Sequence, residues 1–156
     1  MKKKKLLFVL LIGLVLALTT FIFANSLMDS ETSHEMSGGL IDLLFLREWL
    51  DNPALQLIVR KIAHGVEFFA LGAAVMGLVL EARRQFQKKP LGTAFFYVLF
   101  IAVIDEHIQR FSNGRTSSTS DILLDFFSAA FAFVVVWGLF FLISRRKMRK
   151  FETINE

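Results

Sequence analysis

Long apolar runs, broken by short polar stretches, set the pattern of this chain. Leu6 to Leu27 carries no charge, and its polar side chains, Thr19, Thr20, Asn25 and Ser26, all fall in the second half. Ile62 to Leu80 is a second run, interrupted near its start by His64 and Glu67. Leu91 to Ile104 is a third, and Ile122 to Ile143, which holds Asp125, is a fourth. A helix needs roughly 20 mainly apolar residues to cross about 30 Å of hydrocarbon. The third run is too short by itself and must extend through Asp105-Glu106-His107-Ile108-Gln109 to span. Asn52-Pro53 reads as an N-cap followed by proline at the first helical position, and Pro90 marks a helix start in the same way. The pattern predicts an all-α polytopic membrane protein with one domain over residues 1–156. Its spans fall at 6–27, 53–80, 91–110 and 121–143, with an outer loop at 28–52 and a basic tail at 144–156.

Charge orients this bundle. Lys2 to Lys5, Arg83, Arg84, Lys88, Lys89, Arg145, Arg146, Lys147, Arg149 and Lys150 put 13 of the 18 Lys and Arg residues on one side. The positive-inside rule therefore places both termini and the link between the second and third spans in the cytoplasm. An even number of spans requires the same arrangement. The same distribution argues against a nucleic-acid patch, although the net charge is +4. The first run begins like a secretory signal, but its apolar core exceeds the usual ~7–15 residues and no clear A-x-A site follows, so an uncleaved anchor is expected.

Composition narrows the chemistry. Hydrophobic residues make up 54% of the chain, and 18 Phe stand against a single Tyr. An ordinary soluble domain is about 45–50% apolar. Phe has no polar atom to satisfy, which suits a medium without water. A polar disordered chain is excluded. With no Cys, so are disulfides, thiolate metal sites, a Cys nucleophile and lipidation on Cys. In the outer loop, Leu40, Ile41, Leu44, Phe45 and Trp49 recur at helical spacings, which predicts a short amphipathic helix in the interface with Trp49 at headgroup depth.

Ionisable side chains inside a span are costly and mark functional sites by default. Arg60, His64 and Glu67 are spaced i, i+4, i+7 and share one helical face, with Lys61 beside it. Asp105 and Gln109 are i, i+4, as are Glu106 and Arg110, and Asp121 and Asp125. Asp105 lies 14 residues past Leu91, about 21 Å along the axis, in the outer third of the bilayer. The link to the fourth span holds an Asn113-Gly114 turn signal, Arg115, and a Ser/Thr run able to cap the last helix. His64, Glu67, Asp105, Glu106, Gln109, Arg115, Asp121 and Asp125 are thus expected in one layer near the outer face. That layer reads either as internal charge satisfaction, with Arg60, Lys61 and Arg115 neutralising carboxylates, or as a ligand pocket. His107 is expected to face outward and His34 to be solvated.

The same residues carry a resemblance. Asn25-Ser26, the segment Arg60-Lys61-Ile62-Ala63-His64-Gly65-Val66-Glu67-Phe68, the segment Asp105-Glu106-His107-Ile108-Gln109, and Gly114-Arg115 with Asp121 and Asp125 resemble, in order and spacing, motifs of the VanZ-like family of small bacterial membrane proteins. The likeness runs from about Asn25 to Phe133. Phe68 stands where that family often has Tyr, and Ser128-Ala129-Ala130 where it often has Gly. The family takes its name from a protein associated with low-level teicoplanin resistance. The resemblance implies a bacterial plasma membrane and a cell-envelope role, without a defined reaction.

Three functions follow. In the first, the layer binds an amphipathic ligand: a lipid headgroup, a lipid-linked wall precursor or a lipoglycopeptide. Arg60, Lys61 and Arg115 would meet phosphate or carboxylate, Glu67, Asp105 and Asp125 would orient those bases and accept hydrogen bonds, and His64, Glu106, Gln109 and Asp121 complete the expected ligand-binding set. In the second, the protein is an intramembrane enzyme acting on such a substrate. His64, Glu67, Asp105 and Asp125 would then hold a divalent metal, or His64 would act as a general base. The H-x-x-E spacing is not H-E-x-x-H, and no G-x-S-x-G is present. In the third, the protein is a small transporter or flippase, although no span carries a mid-helix proline. The expected partners are membrane lipids or lipid-linked envelope precursors.

Overall fold

The structure, a computed structural model, describes residues 2–27, 53–88, 90–111 and 118–152. The expected interfacial helix with Trp49, and Arg115 in the last link, lie outside the described residues.

The described chain is four helices: α1 (Lys2–Leu27), α2 (Pro53–Phe86), α3 (Leu91–Gln109) and α4 (Thr119–Glu152). Each holds a stretch long and apolar enough to cross a membrane: Lys5–Leu27, Leu57–Phe86, Leu91–Gln109 and Thr119–Arg146. In hydrocarbon every backbone N–H and C=O must be satisfied within the chain, and a helix does this segment by segment. Two helices run further than the apolar pattern predicts. α2 continues past Leu80 to Phe86 and α4 past Ile143 to Glu152, because the Glu, Ala, Arg, Lys and Gln that follow the apolar runs are good helix formers. α2 ends where Gln87 turns left-handed, at φ 56°. The Gln87 N–H donates to the Arg83 carbonyl at 3.1 Å, as a helix C-terminus requires. Pro90 then opens α3, its carbonyl accepting the Ala94 N–H at 3.0 Å. At the other turn Ser118 caps α4. Its carbonyl accepts the Asp121 N–H at 2.9 Å and its hydroxyl the Ser120 N–H at 3.3 Å.

Side-chain pairs fix the directions of the helices. Thr19 meets Tyr97 and Ser26 meets Asp105, so α1 and α3 run parallel. Lys61 meets Asp121 and Phe69 meets Phe131, so α2 and α4 are parallel too. Asn25 meets Glu67 while Phe8 meets Phe86, which sets α1 against α2 in the opposite sense. The start of α1, the 87–90 turn and the end of α4 therefore share one end of the bundle, called here the proximal end. Each of the four helices also brings polar residues to the other, distal end.

α2 is central and packs most extensively on α4. That contact is close because Gly72 faces the α4 backbone. A Cβ at Gly72 would lie 2.4 Å from the Ala129 carbonyl oxygen. Small residues at a crossing let membrane helices approach in this way. Phe68, Leu71, Val98, Ala102, Ala129 and Phe133 fill the interior. The outer surface is the reverse of a soluble protein's. Phe96, Phe100, Phe127, Phe131 and Val134 are all more than half exposed. A continuous apolar exterior of this kind requires lipid around it. The protein is a multi-pass membrane protein.

Candidate functional site

The distal layer is built from all four helices. On α1, Asn25 and Ser26 fall within the last turn, where the apolar run gives way to polar residues. The Asn25 amide donates to Glu67 Oε1 at 2.7 Å. Ser26, fully buried, donates its hydroxyl to Asp105 Oδ1 at 2.6 Å. On α3, Gln109 lies one turn beyond Asp105 and donates to its Oδ2 at 2.8 Å and to the Ser26 hydroxyl at 3.3 Å. Asp105, with no exposure, is thus clamped from two helices.

α2 contributes His64, whose Nδ1 is 3.7 Å from Glu67 Oε2 and 4.0 Å from Asp105 Oδ2. α4 contributes Asp125, which is 3% exposed, and its Oδ1 has no hydrogen-bond partner among the described residues. His64, Asp105 and Asp125 each present one ligand atom, and these atoms lie within 4.8 Å of one another. A cleft of about 20 Å³, bordered by Arg60, His64, Gln109 and Asp125, opens beside them. That is about the space of one water molecule.

The rim is satisfied differently. The Lys61 ammonium donates to Asp121. Glu106, buried on α3, accepts the Ser118 N–H through Oε1. Its carboxylate therefore sits at the α4 N-terminus, where the helix dipole favours negative charge. Arg60 borders the cleft and makes no ion pair with a described residue. His107 is exposed, its ring edge-on to Phe111 at 5.4 Å, the outward interfacial position expected for it.

The structure therefore brings together His64, Glu67, Asp105, Gln109 and Asp125, as their spacings imply. It places Arg60, Lys61, Glu106 and Asp121 around them. Lys61 lies against Asp121, as the charge-neutralising alternative has it. Glu67 turns towards α1, through Asn25. Asn25 and Ser26 are missing from the expected layer, because polar residues at a span's end look like ordinary solvated termini. The resemblance at Asn25-Ser26 was the available signal. Among the described residues the layer holds five carboxylates (Glu67, Asp105, Glu106, Asp121, Asp125) beside the cations Arg60 and Lys61, with Arg110 one residue past Gln109.

Comparison with known proteins bears on this layout. The sequence profile of the family described as VanZ/LLP1 matches residues 8–143, from early in α1 to the apolar end of α4. The chain belongs to the VanZ/LLP1 family. The match includes every residue of the distal layer and all but the outermost residues of the first and last spans. Comparison with curated proteins and with solved structures found no match. Membership of the VanZ/LLP1 family, together with four apolar helices, fits a membrane protein of the cell envelope.

Proposed function

We propose that this VanZ/LLP1 protein sits in the bacterial plasma membrane with both termini in the cytoplasm, and binds an amphipathic envelope ligand through its distal layer. The ligand class is a lipid headgroup, a lipid-linked wall precursor or a lipoglycopeptide. Binding of the last would connect the protein to teicoplanin tolerance. One observation carries the reading: α2, α3 and α4 converge polar groups on a cleft where a buried carboxylate oxygen of Asp125 lacks a hydrogen-bond partner among the described residues. A buried polar atom costs roughly 1–3 kcal/mol when left unsatisfied, so its position favours an exogenous partner.

The arrangement supports a one-sided site. Next to the layer, mid-bundle, the interior is apolar, with Leu71, Val75, Val98 and Phe133, which suits a pocket rather than a path across the bilayer. The acidic layer favours amine, amide or hydroxyl donors, and Arg60 at the cleft supplies one site for phosphate or carboxylate. The basic residues at the proximal end, Arg83, Arg84, Arg145 and Arg146 among them, support the cytoplasmic assignment of that end. A second reading, a metal-dependent enzyme acting on a lipid or wall precursor, is favoured by the grouping of His64, Asp105 and Asp125.

The test is mass spectrometry of lipids and wall precursors that co-purify with the protein from bacterial membranes. The wild type should retain a specific amphipathic species, and Asp125→Asn and Arg60→Gln should lose it while still eluting as folded protein. Identical profiles for wild type and both variants would refute the reading.

A further inference from the structure

The layer's excess of buried carboxylates needs a compensating charge. Charged groups taken out of water are costly unless paired or bound to metal. Lys61 is engaged by Asp121, and Arg60 sits at the cleft. Asp105 and Asp125 are 0% and 3% exposed, and one His64 ring nitrogen lies within 4.8 Å of a carboxylate oxygen of each.

We propose that His64, Asp105 and Asp125 form a binding site for one divalent cation of the Zn²⁺ or Mn²⁺ class. The donor set is one imidazole and two carboxylates from three separate helices. Imidazole suits zinc, carboxylates suit manganese and harder ions, and thiolate is absent from the chain. Two atoms each about 2.1 Å from a metal in tetrahedral geometry lie about 3.4 Å apart. The set, within 4.8 Å now, closes by up to about 1.4 Å on binding.

A second observation is independent of the acidic grouping. Asp125 is fully packed, yet its Oδ1 lacks a hydrogen-bond partner among the described residues, while its neighbour Asp105 is held on both oxygens. Ser26 and Gln109 fix Asp105 as outer-shell partners fix a metal-binding carboxylate. The cleft beside the group has room for an ion or a water and little more. Three protein ligands leave a coordination position open, and Arg60 borders the same cleft. A phosphate or carboxylate on the amphipathic ligand would complete the shell there. That last role rests on the proposed function, whereas the cation site does not.

The test uses the full chain, purified through a tag without histidine, stripped with EDTA and dialysed against Zn²⁺ or Mn²⁺. Bound metal is measured by mass spectrometry and affinity by chelator competition. The wild type should hold one equivalent per chain. Loss of an outer-shell partner typically weakens metal binding about 10–100-fold, which is the expectation for Ser26→Ala. His64→Gln and Asp125→Asn, which remove ligands, should weaken it by at least about 100-fold. His107→Gln, an exposed control, should change nothing. Cobalt substitution of the wild type gives a readout that needs no variant to fold: visible d–d bands are expected. Lack of stoichiometric metal in the wild type, lack of those bands, or unchanged affinity in Asp125→Asn would overturn the site. Co-purifying lipids, measured on the same EDTA-stripped and reloaded samples, separate the two claims. Metal bound with no specific amphipathic species overturns the proposed function alone. A specific species with no metal overturns the cation site alone.

Discussion

Replacing Gly72 by Ala perturbs the helix contact that positions the site without touching any polar residue of the layer. The added Cβ would stand 2.4 Å from the Ala129 carbonyl oxygen, 2.7 Å from its Cα and 2.9 Å from its carbonyl carbon. Carbon–oxygen contacts between helices close to about 3.3 Å, so α2 and α4 must separate by about 0.9 Å. Backbone cannot swing aside as a side chain can. Gly65 is the matched control on the same helix. A Cβ there would meet only the Ser128 hydroxyl, at 3.3 Å, and that group can turn. Both substitutions gain up to about 1 kcal/mol of helix propensity, which cancels when the two are compared. Overpacking costs about 1–3 kcal/mol, so Gly72→Ala should be less stable than Gly65→Ala by that amount. Ala129→Gly should not recover it, because the obstruction is backbone. The measurement is reversible unfolding in mixed micelles by SDS titration, followed by circular dichroism. Ligand constellations tolerate about 0.5 Å of displacement, so Gly72→Ala should also weaken binding at the distal layer. Equal stability of the two alanine variants, or rescue by Ala129→Gly, would refute the reasoning.

Other consequences follow from the same geometry. Tyr97→Phe removes the 2.8 Å hydrogen bond to Thr19 within the span. Interhelical hydrogen bonds in membranes average about 0.6 kcal/mol, so the same titration should show a loss of that size, and a loss of several kcal/mol would mean that Tyr97 does more. Lys61→Gln, at a partly exposed pair with Asp121, should cost no more than about 1 kcal/mol, whereas Ser26→Ala, by uncovering the buried Asp105 Oδ1, should cost about 1–3 kcal/mol. The reverse order would invert the assignment of rim and interior. Cysteines introduced as Ser30→Cys and Ser117→Cys should react with an impermeant thiol reagent in intact cells, and those from Gln87→Cys and Thr153→Cys should not. Labelling at position 87 would reverse the topology.

The spans were legible because lipid imposes a length and a polarity that any apolar run must meet, and the four runs met it. Their ends were less so. Glu81 falls one residue past the expected end of the second span, yet it is buried and accepts from Gln85 at 2.8 Å, because α2 keeps winding through polar helix formers. The acids and amides of the layer could be read from i, i+4 and i, i+7 spacings, since each helix displays its own face. Contacts between helices leave no such periodic trace. The Ser26–Asp105 hydrogen bond links residues 79 apart in the chain. Tyr97 sits in a run counted as apolar, and only the fold shows its hydroxyl meeting Thr19. Likewise Gly72 is one small residue among several until the Ala129 backbone is placed against it.

The most direct test of the convergent distal layer as a binding site is a structure of the wild-type protein determined in lipid, at a resolution that shows side chains and ordered density between α2, α3 and α4. The account predicts that the Asp105 and Asp125 carboxylates point inward towards His64, with density for a bound species in contact with Asp125. An Asp105 or Asp125 carboxylate directed into the acyl chains, or an interior closed by ion pairs with no bound species, would contradict it.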